Sequence, residues 1–382
     1  MNAPPISVTR QQPVVPSRLD SIEAARGLAA LAVALMHVAS LMNVPNFAGH
    51  VGMGGLFNFG YVGVDFFFVL SGFIITYVHH HELGKPSALP RYLWRRFSRI
   101  FPIYWFVLLL TISLGAVARL AAGQAPTLEL GAADIPGTIF LLISFSGALV
   151  EPKYIGVAWT LQLEVLFYIA FCIVMLHRRV GLSLLAMWFL YLLAHVAGLI
   201  QAELPWHLGS AHCLQFLMGV SVALLARAGS LPASRGNFYC ALLALASGIA
   251  FEIQGPLGLH SAYGRIALGL GSAWVLAALV GLEQGAARRP TNENAPKQGP
   301  LRCPAWLVKF GAASYSVYLA HILLASLTYT VLLRIGVYHL LPESVTYTIA
   351  LAAALGGTLV IGYWVELPVV KWLKAKTPQT KS

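Results

Sequence analysis

Ten apolar runs, most about as long as a lipid core is thick, constrain this chain more than any other feature. A helix crossing a bilayer needs about 20 mostly apolar residues, because no water is there to satisfy open backbone groups. The runs are residues 22–42, 60–79, 99–120, 156–176, 181–200, 211–227, 237–252, 263–283, 309–334 and 346–367. They predict an all-α, polytopic membrane bundle of about ten transmembrane helices. A further stretch, 136–150, has only 15 residues and opens with Pro136-Gly137, which suits a re-entrant or interfacial piece. The chain is 10% charged, whereas soluble proteins carry about a quarter.

Charge placement tests the count. With the N-terminus inside, 21 of the 25 Lys and Arg fall on cytoplasmic ends and loops, and only Arg119, Lys153, Arg265 and Arg334 lie on the far side. If 136–150 crossed the membrane, 13 of the inside charges would move outside. Ten helices with both termini cytoplasmic is therefore the expectation. The net charge of +11 is then mostly topological. Its surface partner is anionic membrane lipid, not nucleic acid.

Residues 1–18 are polar and Pro-rich with no cleavable leader pattern, so they read as a disordered cytoplasmic N-terminus before an uncleaved anchor. Residues 19–370 form the membrane domain, 284–308 a flexible cytoplasmic loop, and 371–382 a basic cytoplasmic tail with no soluble domain expected beyond it. Cys172, Cys213, Cys240 and Cys303 are scattered, without metal or redox spacing. They read as small hydrophobes, and no metal site is expected.

Ionisable side chains inside the spans mark where chemistry belongs, since each costs about 2.5–3.5 kcal/mol on insertion scales. In the first run, Arg26 and His37 are 11 residues apart on one helical face, about 16 Å along the axis. Arg26 is either a topogenic rim charge or a ligand contact; His37 is either an interhelical hydrogen bond or a functional imidazole. In GYVGVDFFFVLSGFII (60–75), Asp65 is a counter-charge or a site residue, Ser71 lies nearby, and Gly63 and Gly72 allow close helix approach. In RRFSRIFPIYW (95–105), the i,i+3 and i,i+4 arginines Arg95, Arg96 and Arg99 either anchor the helix or fit phosphate geometry. WTLQLEVLFY (159–168) sets Thr160, Glu164 and Tyr168 on one face, and GAASYSVYLAH (311–321) does the same for Ser314, Tyr318 and His321. Glu164 needs a partner from another helix, with His37 and the arginines as candidates. Glu366-Leu-Pro368 reads as a rim charge followed by a stop signal.

These residues, in this order, resemble acyltransferase family 3, integral membrane proteins that O-acylate sugars, polysaccharides and some small molecules. The resemblance rests on Arg26 and His37 with ten residues between them, GVDFFFVLSGF at 63–73, the Arg96-x-x-Arg99 pair followed by IFPIYW, WTLQLE at 159–164, SYSVYLAH at 314–321 and Glu366-x-Pro368. It implies a cytoplasmic acyl-CoA donor, often acetyl-CoA, used as co-substrate with no bound cofactor. It also implies a carbohydrate acceptor on the far face or within the membrane, and residence in the cell (inner) membrane. The family's essential positions fall on Arg26, His37, Arg96, Arg99 and Glu164.

The chemistry expected follows from those roles. His37 deprotonates the sugar hydroxyl or carries the acyl group itself, and Glu164 orients the imidazole. Arg96 and Arg99 hold the donor phosphates, and Arg26 lines the donor's path. Ser71 and Tyr315 are candidate oxyanion donors, with Asp65, Ser314 and His321 as possible support. A proton-coupled transporter or flippase would also bury histidine and carboxylate, but neither the repeats nor the broken helices of that class are evident. A lipid-binding scaffold is the third reading.

Overall fold

A computed structural model describes residues 19–44, 47, 53–143, 151–202, 204–255, 261–287 and 303–378. The expected N-terminal disorder at 1–18 lies outside these residues, as do positions 144–150, 288–302 and 379–382. Every regular element among the described residues is helical. In chain order they are α1 (Asp20–Leu41), α2 (Val62–His79), α3 (Leu89–Ala121), α4 (Ile135–Phe140), α5 (Trp159–Leu176), α6 (Arg178–Val196) and α7 (Trp206–Gly209). There follow α8 (His212–Ala228), α9 (Arg235–Ile253), α10 (Ala262–Ala287), α11 (Ala305–Ala312), α12 (Ser314–Arg334), α13 (Glu343–Ile361) and α14 (Leu367–Ala375).

Nine helical runs among these are long and apolar enough to cross a membrane, and α8, with 17 residues, is a shorter apolar helix. At about 1.5 Å per residue α8 is roughly 26 Å long, the lower end of what spans a hydrocarbon core. Counting α8 as a crossing gives the expected ten, an even number, which leaves the start of α1 and the end of α14 on the same face.

Three expected boundaries shift. The third run begins ten residues earlier, because α3 starts at Leu89 and carries the arginines as part of one 33-residue helix. The expected helix 309–334 divides at Ala313 into α11 and α12. There the new N-terminus is satisfied from outside: the Glu366 carboxylate accepts from Ser316 N–H at 3.0 Å and from Ser316 Oγ at 2.7 Å. The last run does not stop at Glu366-Leu-Pro368. A π-helical turn, Gly362–Glu366, joins α13 to α14, and Pro368 sits in the first turn of the new helix, where its missing N–H costs nothing. The described ends of 284–308 are helical, within α10 and α11.

The short piece expected at 136–150 begins as α4, six residues long, and turns at Leu141 with φ of 56°. Its carbonyls are taken up by neighbours: Tyr104 Oη donates to Thr138 O at 2.6 Å, Trp105 Nε1 to Ile139 O at 2.9 Å, and Gln162 Nε2 to Leu142 O at 3.0 Å. Outside the spans, Lys153 bonds Asp134 at 2.9 Å and holds that carboxyl below the usual carboxylate range.

Small residues set a very close helix contact between α2 and α8. A Cβ on Gly72 would fall 2.0 Å from Phe216 O, and one on Gly219 would fall 1.8 Å from Val69 O. Each backbone occupies the space that the other glycine leaves open, which is how transmembrane helices gain dispersion contact without a hydrophobic driving force. Gly63 does the same against Ala29 O of α1 at 2.3 Å. This packing fixes α2 between α1 and α8 and so aims Ser71 toward α5.

Candidate active site

A cavity of about 730 Å³ opens between α1, α2, α3, α5, α12 and α14. That volume lies within the range of small-molecule sites, about 300–1,000 Å³. Its mouth holds Arg26 of α1, Arg95, Arg96 and Arg99 of α3, and Lys374 of α14. Among the lining residues only Glu23 and Glu164 oppose these five cations. A net-positive, partly desolvated cleft of this kind selects an anion. It lies on the face that the charge tally assigns to the cytoplasm.

Three of the four arginines are held by a neighbour. Glu23, one turn earlier, bonds Arg26 Nη1 at 2.9 Å. Arg99 donates to Glu366 Oε1 at 3.2 Å and lies 5.4 Å from the centre of the Tyr315 ring. Arg96 stands 5.5 Å from the ring centre of Tyr92 and 5.4 Å from that of Tyr168, and its Nη2 donates to His79 Nε2 at 2.6 Å. Flat guanidinium groups lying against aromatic faces keep N–H donors available to a phosphate.

Deeper in, the cavity meets Ser71, Thr160, Glu164, Tyr168 and Tyr318. Glu164 Oε1 accepts from Tyr168 Oη, one turn along α5, and from Ser71 Oγ at 3.3 Å. Tyr315 Oη, proposed from sequence as an oxyanion donor, is committed to Ile100 O at 3.0 Å. Ser314 lines the cavity, and its buried Oγ has no hydrogen-bond partner among the described residues. Tyr318 bonds Thr160 Oγ1 at 2.8 Å and packs edge-on against Phe67, closing the inner wall.

His37 and His321 lie behind that wall, and neither lines this cavity. Their rings are 5.1 Å apart, and the His321 ring is 6.3 Å from that of Tyr318. Their hydrogen bonds define the tautomers. His321 Nδ1 sits 2.9 Å from Val317 O, a pure acceptor, so it carries the proton and leaves Nε2 bare. His37 Nδ1 is 3.1 Å from both His321 Nε2 and Val33 O, so the proton is on Nδ1. His37 Nε2 is therefore an open lone pair, with no hydrogen bond among the described residues.

The structure thus brings Arg26, Arg96, Arg99, Ser71, Glu164, Ser314 and Tyr315 into one cavity and sets His37 with His321 beside it. It does not pair Glu164 with His37; the imidazole's partner is His321, and the carboxylate's are Tyr168 and Ser71. Asp65 lies apart from both. It is fully buried, with Arg265 Nη1 at 3.0 Å and Gln215 Nε2 donating at 2.5 Å. Sequence reasoning missed three contributors. Glu366 was read as a rim charge but is fully buried between Arg99 and the start of α12. Lys374 carries no local signal that separates it from Lys371 or Lys376. His79 stood in view within the polar run His79-His80-His81-Glu82 at the end of α2.

Fold and site together define a multi-pass membrane protein with a cavity lined by five cationic side chains. The comparisons with known proteins place it further. A family model described as an acyltransferase domain matches residues 19–365, and the chain belongs to that family, acyltransferase family 3. It is an acyltransferase. A relative from Rhizobium meliloti (strain 1021), "Exopolysaccharide production protein ExoZ", is 28% identical over 316 residues, covering 80% of this chain and 87% of its own. No solved structure matches.

Proposed function

We propose that the protein moves an acyl group, acetyl in the simplest case, from cytoplasmic acyl-CoA to a sugar hydroxyl of an exported polysaccharide. One observation carries this reading. A cavity with five cations at its mouth ends at a wall whose far side carries a histidine with an open Nε2. The mouth suits the diphosphate and phosphate of coenzyme A, and the inner part, lined by Ser71, Thr160 and Tyr318, suits the pantetheine arm and thioester. The polysaccharide acceptor is the class named by the relative's role in exopolysaccharide production.

The chemistry balances on His37. Its Nε2 takes the hydroxyl proton as the alcohol oxygen bonds to the thioester carbonyl carbon. The C–S bond then breaks, and the imidazolium returns the proton to the departing thiolate. Nδ1–H, held by His321 and Val33 O, keeps the ring in the tautomer this requires. Tyr318 is the boundary the two substrates meet across. Ser71 and the unpartnered Ser314 Oγ are the donors available to a developing oxyanion.

The test is His37→Ala in membranes supplied with labelled acetyl-CoA, with protein amounts matched. Acceptor labelling should fall to background; wild-type labelling removes the role. Release of free coenzyme A by purified wild-type protein separates this reading from a transporter, which would leave the thioester intact.

A further inference from the structure

The cavity's Arg96 is held by a chain of hydrogen bonds that begins outside it. His79, the last residue of α2, is fully buried. Its Nε2 receives Arg96 Nη2 at 2.6 Å, and its Nδ1 lies 2.5 Å from Glu82 Oε2. A guanidinium has only donors, so Nε2 must present a lone pair, and the ring proton is left on Nδ1 for the carboxylate. Each link therefore has one direction: Arg96 donates to His79, and His79 donates to Glu82. The imidazole is clamped edge-on by Tyr92, 5.0 Å away, and Phe171, 6.2 Å away. With Tyr92 and Tyr168 lying against the guanidinium, Arg96 is restrained by its neighbours before any ligand arrives.

We propose that His79 is a positioning residue for the acyl donor: backed by Glu82, it orients the Arg96 guanidinium so that its remaining N–H groups grip a phosphate of the coenzyme. This rests on the acyl-CoA reading above. Glu82 stands one turn beyond α2 with its carboxylate 19% exposed, so the chain runs from the protein's aqueous edge to the cavity. Preorganisation of this kind saves the ordering cost of a long side chain when the ligand binds. A purely structural polar contact would give His79 no influence on which donor is used. A positioning role ties it to the phosphates alone.

The experiment compares two donors, acetyl-CoA and S-acetylpantetheine, which has the same thioester without the phosphates. His79→Ala should raise KM for acetyl-CoA about tenfold, the worth of one charge-assisted hydrogen bond, with kcat within about twofold. KM for S-acetylpantetheine should not move. His79→Gln should restore the acetyl-CoA value, since its amide offers an acceptor to Arg96 and a donor to Glu82. An equal rise for both donors, or no rise for either, overturns the proposal. If His79→Ala does not accumulate, Glu82→Ala decides: coenzyme A should bind purified protein about threefold more weakly, and an unchanged Kd overturns it. Wild-type protein that binds coenzyme A but never consumes acetyl-CoA would refute the acyl-CoA reaction while leaving the binding comparison intact.

Discussion

Two regions of this bundle bury arginine, and they do so in opposite ways. Arg265 on α10 is 5% exposed and fully answered: Asp65 takes Nη1 with both oxygens at 3.2 and 3.0 Å, Gln215 bonds that same carboxylate, and the Tyr61 ring lies 4.2 Å away. The cavity gathers five cations against two lining carboxylates and leaves charge in excess. A buried ion pair whose charges cancel is a structural element, sensitive to loss of either partner. A cluster with surplus charge is stable only where water or a ligand reaches it, and that surplus is the functional signal. Burial of charge alone does not separate the two; the local balance does.

The sharpest way to break the contrast is Asp65→Ala. It strands a buried guanidinium, and about 3–5 kcal/mol of stability should go with it. Thermal unfolding in detergent and yield in membranes would show this, and activity per folded molecule should survive. Arg96→Ala should do the reverse: its polar partner is the His79 imidazole, so no buried carboxylate is stranded and the protein stays folded while KM for acetyl-CoA rises about tenfold or more. A drop in folded yield equal to that of Asp65→Ala would erase the distinction. Gly219→Val tests the frame common to both regions. It forces a branched side chain against Val69 O and should cost about 1–3 kcal/mol by overpacking, read as a lower unfolding temperature with KM unchanged. Lys374→Ala is the smallest case, a charge near the mouth worth about 0.2–1 kcal/mol, so KM for acetyl-CoA should rise less than about sixfold. A loss as large as that of Arg96→Ala would make α14 part of the essential grip.

The membrane bundle was legible because it rests on local quantities. Run length, apolar content and the inside bias of Lys and Arg are all one-dimensional, and nine long apolar helices plus the shorter α8 match the crossing count they predict. The cavity arginines were legible for the same reason, since 95, 96 and 99 repeat at helical spacing. Pairings were not. Glu164 had His37 and the arginines as candidate partners, yet its carboxylate is satisfied by Tyr168 one turn away and by Ser71 from α2. Glu366 looked like a helix-terminating rim charge, because nothing nearby in sequence reveals that a π turn directs it against Arg99 and Ser316.

By itself, then, the sequence determined that this chain is a membrane bundle of about ten helices, where along it the basic residues cluster, and which ionisable residues are too costly to bury without purpose. Only the tertiary structure decided which of those residues meet. It joined His37 to His321, Asp65 to Arg265 and Arg96 to His79, and it left Tyr318 standing between the cationic cavity and the imidazoles. The reason is geometric: burial energy depends on length and composition along the chain, whereas a hydrogen bond between helices depends on their rotation and depth, which close contacts such as Gly72 on Phe216 and Gly219 on Val69 set.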